Sequence, residues 1–174
     1  MFARLSRLRA IVLAGCAILL AAPLWAVPAD AKIVTFKETG VGFPIDLPDD
    51  WRVKGIERGI EISSPDKAVY IWVEATDAAN VGSVVENYLN SFRKQGIKLR
   101  QQLDKRKNVI GGVDVILMDI QATYAGGPTV VKLVMTDPRP QERKGLFIGY
   151  WASPRGDQKH EDIVTGIMMD LLRP

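Results

Sequence analysis

Along residues 68–75, AVYIWVEA, the side chains Val69, Ile71 and Val73 alternate with Tyr70, Trp72 and Glu74. A period of two with large residues in both phases predicts a strand covered at least partly on each face. The same alternation recurs over residues 113–124, where Val113, Val115 and Leu117 oppose Ile116, Met118 and Ile120. Shorter extended runs are expected at 32–39, 43–47, 51–56, 59–62, 97–103, 129–136 and 145–153, with residues 105–110 leading into a turn at Gly111-Gly112. A second turn, Ala125-Gly126-Gly127-Pro128, joins 113–124 to 129–136 as an antiparallel hairpin.

Two stretches switch to helical spacing. Val81, Val84, Val85, Tyr88, Leu89 and Phe92 form one apolar stripe, with Ser83 and Glu86 read as a capping box, Arg93 and Lys94 in the last turn, and Gly96 as the stop. From Asp157 onward Ile163, Val164, Ile167, Met168, Leu171 and Leu172 form a second stripe. Strands, helix, strands, helix in this order predicts an α+β fold, an antiparallel β-sheet flanked by helices, in one domain over residues 32–174. Between the first strands, GFPIDLPDDW (residues 42–51) reads as a strand–turn–strand corner. Pro48 and the Asp49-Asp50 pair make the turn, and Trp51 is expected to be buried.

Charge and composition change the picture mainly at the N-terminus. Arg4, Arg7 and Arg9 precede an uncharged run from Ala10 to Ala29, and Ala29-Asp30-Ala31 offers an A-x-A cleavage site. Residues 1–31 are therefore read as a secretory signal peptide, which implies an extracytoplasmic protein, periplasmic or secreted. An uncleaved anchor, or lipidation at Cys16 in Leu13-Ala14-Gly15-Cys16, would instead attach it to a membrane. Three of the 23 basic and one of the 20 acidic residues fall in that segment, so the remainder carries a net charge of +1. The basic character of the whole chain is then no argument for nucleic acid. With Cys16 removed no cysteine remains, which excludes disulfides, thiolate ligands and cysteine nucleophiles from the mature chain.

The export signal, the F-P-I-D-L-P-D-D-W corner, the amphipathic helix, the Gly-Gly hairpins, the G-L-F-I-G-Y-W-A-S strand and the closing helix together resemble the PsbP-like superfamily. The resemblance spans nearly all of residues 32–174. It implies an antiparallel sheet sandwiched by helices and an accessory or assembly module without established catalysis. It carries over no residue-level site.

Candidate chemistry is sparse. His160 is the only histidine and, beside Glu161 and Asp162 at a helix start, is expected to face solvent. Asp46, Asp49 and Asp50 could offer oxygens to a hard cation, but the corner reads them as turn residues, and no cofactor or metal is expected. Tyr70, Trp72, Tyr150 and Trp151 could line a ligand cleft or pack in the core. The most uneven surface is basic: Arg93, Lys94, Lys98, Arg100, Lys105, Arg106 and Lys107 against Asp104 alone. These seven are the expected docking residues for an anionic partner, an envelope protein or a lipid surface. No aromatic residue interleaves with them, which speaks against single-stranded nucleic acid. The resulting expectation is a non-enzymatic binding or assembly module of the cell envelope. The alternatives are a small-ligand or lipid carrier and a carboxylate-dependent hydrolase.

Overall fold

The computed structural model describes residues 32–35, 42–76, 80–136 and 145–172. The expected signal peptide lies outside these residues, as does the second half of the first expected strand. Among the described residues no helix is long and apolar enough to cross a membrane.

The chain runs β1 (Lys32–Thr35), β2 (Gly42–Ile45), β3 (Arg52–Ile56), β4 (Gly59–Ser63), β5 (Val69–Thr76), α1 (Val81–Lys94), β6 (Lys98–Ile110), β7 (Val113–Tyr124), β8 (Gly127–Thr136), β9 (Gly145–Ala152), α2 (Pro154–Lys159) and α3 (Glu161–Leu171). β1 and β2 pair as a separate ribbon, and the other strands form a seven-stranded sheet in the order β3-β4-β5-β9-β8-β7-β6. Every pairing in it is antiparallel. The fold is thus the expected α+β sandwich, with helices on both faces of an antiparallel sheet.

Each face has its own core. On one, Val84, Tyr88 and Phe92 of α1 pack on Met118, Ile120, Val131, Leu133 and Phe147. On the other, Ile167, Leu171 and Leu172 pack with Ile62, Ile71, Ile148 and Tyr150, joined by Ile45, Leu47 and Trp51 from the corner. The corner is the expected turn: the Trp51 amide donates to the Pro48 carbonyl at 3.0 Å, and Trp51 is 4% exposed. The Asp46 amide donates to Asp170 Oδ2 at 2.9 Å, holding the corner to α3. Two glycines allow the helices to approach. A Cβ on Gly149 would stand 2.9 Å from the Tyr88 ring, and one on Gly156 would stand 2.6 Å from Ala68.

Four local expectations are corrected. Helix α1 begins at Val81 behind Asn80, so Ser83 lies inside the first turn, where its hydroxyl donates to the Asn80 carbonyl at 2.8 Å and caps nothing. Residues 98–110 form one long strand with a register shift between Leu99 and Leu103, where a short strand and a separate lead-in were expected. The second hairpin turns on Ala125-Gly126 alone, both at positive φ, and leaves Gly127 and Pro128 in β8. The closing helix is two helices broken at His160; α2 starts on Ser153, whose Oγ accepts from the Gly156 amide at 3.0 Å, with Pro154 in the first turn.

Candidate functional site

The seven basic residues share one side of the molecule but not one face. Helix α1 closes in a Schellman turn: the Ile97 amide donates to Phe92 O and that of Gly96 to Arg93 O, both at 3.0 Å, with Gly96 at φ +85°. That turn feeds the chain directly into β6, the outermost strand of the sheet. Arg93 and Lys94 therefore sit at the helix end, and Lys98 and Arg100 at the start of the strand, all exposed. Lys105 and Lys107 follow about 20 Å along the edge, at roughly 3.3 Å per residue. They stand opposite Met118 and Ile116 and so lie on the α1 side. Arg106 stands opposite Leu117 on the other side, where it pairs with Asp119 and approaches Asp104 at 3.9 Å. Among the described residues Lys94, Lys98, Arg100, Lys105 and Lys107 form no ion pair. The arrangement is a cationic strip along a sheet edge, with Arg106 neutralised on its reverse.

His160 does not face solvent. It is 6% exposed, its Nε2 lies 3.1 Å from both carboxylate oxygens of Asp66, and its ring meets Trp51 edge-on at 5.4 Å. The break between α2 and α3 turns it inward, onto the loop between β4 and β5. There Asp66 also accepts from the Ser64 hydroxyl at 2.7 Å, the Ala68 amide at 3.2 Å and Lys159 Nζ at 2.7 Å. Lys159, then Ser64 and His160, hold the Asp66 carboxyl well below the usual carboxylate range. A serine, an aspartate and a histidine meet here, but the aspartate sits between the other two. The Ser64 hydroxyl is spent on Asp66 and on the Ala68 and Val69 amides, so the cluster is a structural latch and not a nucleophile with its base.

The expected aromatic quartet is divided by the pleat. Tyr150 points to the α3 side, where it is buried and its hydroxyl donates to Asp157 Oδ1 at 2.6 Å. Burial, then that bond, pushes the Tyr150 phenol above its ordinary value. Tyr70, Trp72 and Trp151 remain on the α1 side and are joined by Tyr124. Ring centroids are 5.8 Å apart for Tyr70–Trp72, 5.4 Å for Tyr70–Trp151 and 5.5 Å for Tyr124–Trp151. All four rings are partly exposed, and Trp151 Nε1 is buried with no hydrogen-bond acceptor.

Trp72 also forms one wall of a cleft of about 360 Å³ between α1 and strands β4 and β5. On the sheet side stand Glu61 and Glu74; on the helix side Asn87, Ser91 and Gln95 recur every fourth residue. The Trp72 indole donates to Glu61 Oε2 at 2.9 Å, and the Tyr88 hydroxyl donates to Glu74 Oε1 at 3.0 Å. Glu74 is 9% exposed; its Oε2 has Arg58 Nη2 at 3.2 Å but accepts no hydrogen bond. Sequence reasoning placed Glu74 in phase with Tyr70 and Trp72 but missed the cleft. Glu61 joins it only through the β4–β5 register, which sets Glu61 opposite Trp72 and Gly59 opposite Glu74. Among the described residues no group of three or more His, Cys, Asp or Glu side chains is placed to hold a metal ion, and Asp49 and Asp50 are exposed turn residues.

No family model matches the chain, and no curated protein matches it in sequence. Among solved structures, it is similar to the cyanobacterial PsbP protein (CyanoP) of Synechocystis sp. PCC 6803, with a TM-score of 0.52 at 10% identity, over 87% of this chain and 96% of that one. A Pseudomonas aeruginosa protein of unknown function, PA94, aligns over 83% of this chain and 98% of its own at 19% identity, with a TM-score of 0.39. At 10% identity the likeness to CyanoP concerns fold alone: the chain shares the architecture of that PsbP-like protein.

Proposed function

We propose that the protein is a non-catalytic binding module of the extracytoplasmic space that docks on an anionic partner through the cationic strip. The observation that carries this reading is the row of exposed, unpaired cations on α1 and β6, in a chain whose net charge without residues 1–31 is only +1. Such a concentration of one sign on an almost neutral body orients an encounter with an acidic surface. Lysines on an edge strand also discourage pairing with a second sheet, so a purely protective role must be separated from docking. Charge reversal makes that separation, because Glu keeps the edge charged while inverting its sign. Against catalysis stand the Ser64–Asp66–His160 order and the partners already taken by the cleft carboxylates.

Co-sedimentation with phosphatidylglycerol-containing vesicles, and cross-linking in an envelope extract, test the reading in its lipid and protein forms. Binding is expected to weaken as salt rises and to fall at least tenfold in the Lys105→Glu/Lys107→Glu protein. Binding by neither assay, or binding indifferent to that reversal, would overturn it.

A further inference from the structure

The outer edge of β6 offers backbone groups as well as charge. Resting on the reading of the strip as a docking surface, we infer that β6 accepts an extended acidic segment of a partner protein as an eighth strand of the sheet. β6 has a neighbour on one side only, β7, and pairs with it without interruption from Leu103 to Ile110. The Val109 amide donates to Asn108 Oδ1 at 2.8 Å, so it points away from β7. In an antiparallel ladder the N–H and C=O of one residue share an edge, and that edge alternates from residue to residue. Lys105, Lys107 and Val109 therefore aim their backbone groups outward together, and the Asn108 side chain covers one of them. Residues 104–109 are exposed in both phases of the strand, so neither helix layer blocks the approach.

The side chains choose the sign of the incoming strand. Lys105, Lys107 and Val109 stand opposite Met118, Ile116 and Asp114 and so share the α1 side. Neither lysine forms an ion pair among the described residues, and Val109 is 62% exposed, more than Val53, Tyr124 or Met169. On the other side Arg106 is already paired with Asp119, so the unspent charge lies in one phase of the strand. A strand added to this edge sets its own residues directly across from Lys105, Lys107 and Val109, where opposite charges attract and like charges repel. Laid antiparallel, the matching pattern is apolar-x-acidic-x-acidic. A second copy of β6 centred on Arg106 would set Lys105 against Lys107, so the edge rejects itself while admitting an acidic strand. A phospholipid surface would use the lysines but not the row of backbone groups between them.

The test is an NMR titration of the full chain with the capped peptide Thr-Val-Thr-Glu-Thr-Glu-Thr, reading the amide signals of Lys105, Lys107 and Val109. Saturable shifts and slowed hydrogen exchange are expected at all three amides. A peptide with Lys in place of both Glu should bind at least tenfold more weakly. So should one N-methylated at Val and both Glu, which keeps the charge but cannot donate to the edge. The Lys105→Glu/Lys107→Glu protein should bind the first peptide at least tenfold more weakly than the parent does. No saturable shift overturns the inference, as does a response of these amides to phosphatidylglycerol vesicles in place of the peptide. Equal binding of the N-methylated peptide overturns strand addition and leaves the charge reading of the strip standing. Binding of the first peptide that survives the Lys105→Glu/Lys107→Glu reversal unchanged overturns both.

Discussion

Asp66 shows how one residue can hold three parts of this chain together. Its carboxylate reaches the β4–β5 loop through Ser64 and Ala68, helix α2 through Lys159, and the α2–α3 break through His160. These contacts favour the ionised form, so the folded pKa lies below the unfolded value of about 3.9. The latch therefore contributes its full stability above pH 4 and loses it as pH falls through the acid range. Asp66→Asn should lower the urea midpoint at pH 7, and the gap to the parent should narrow steadily below about pH 4. A gap independent of pH would mean that the carboxylate charge does not hold the latch. None of this was legible in sequence: His160 looked solvent-facing because its neighbours Glu161 and Asp162 are exposed, while its partner lies 94 residues away.

The elements are where local pattern and structure agree best, and their failures have local causes. The stripes on α1 and α3 and the alternation in β5 and β7 all fall on the cores that they predicted. A long amphipathic period is a strong signal because every turn repeats it. Caps are single-residue signals and are easily displaced: Ser83 and Glu86 have the capping-box spacing, yet Val81 and Gly82 are already helical. The long edge strand is expected to stop at Leu103 because the charged run Asp104 to Lys107 shows no apolar alternation, yet β6 continues through it to Ile110. How α1 seats on the sheet depends on Gly149, which sequence reading passed over as an ordinary strand residue. Gly149→Ala should cost about 1–3 kcal/mol by forcing the Tyr88 ring away. Gly82→Ala, on the same helix with open space around its Cβ, should instead stabilise by up to about 1 kcal/mol. Urea denaturation of the two proteins should give opposite signs; equal signs would mean that backbone propensity, not the Tyr88 contact, governs position 149.

At the scale of the whole molecule, the central question is whether two cores on opposite faces of one sheet behave as one. β5, β9 and β8 belong to both: in β9, Phe147 faces α1 while Ile148 and Tyr150 face α3, and seven of its eight residues are buried. Neither helix layer can leave without exposing one face of those strands, so loss of one core weakens the other. Trp51→Ala on the α3 side and Phe92→Ala on the α1 side each remove a large buried ring, and each should cost about 3–5 kcal/mol. If the sheet couples the cores, both proteins unfold in a single transition, with fluorescence and far-UV circular dichroism giving the same midpoint. The coupling also bears on the proposed docking surface, because the cationic strip begins at the end of α1 and depends on that helix being seated. A Trp51→Ala protein that kept one transition at a lower midpoint should retain binding through the cationic strip under native conditions. Separate transitions by the two probes would show instead that the α1 layer and the α3 layer fold as independent units, and that the shared strands do not carry stability from one face to the other.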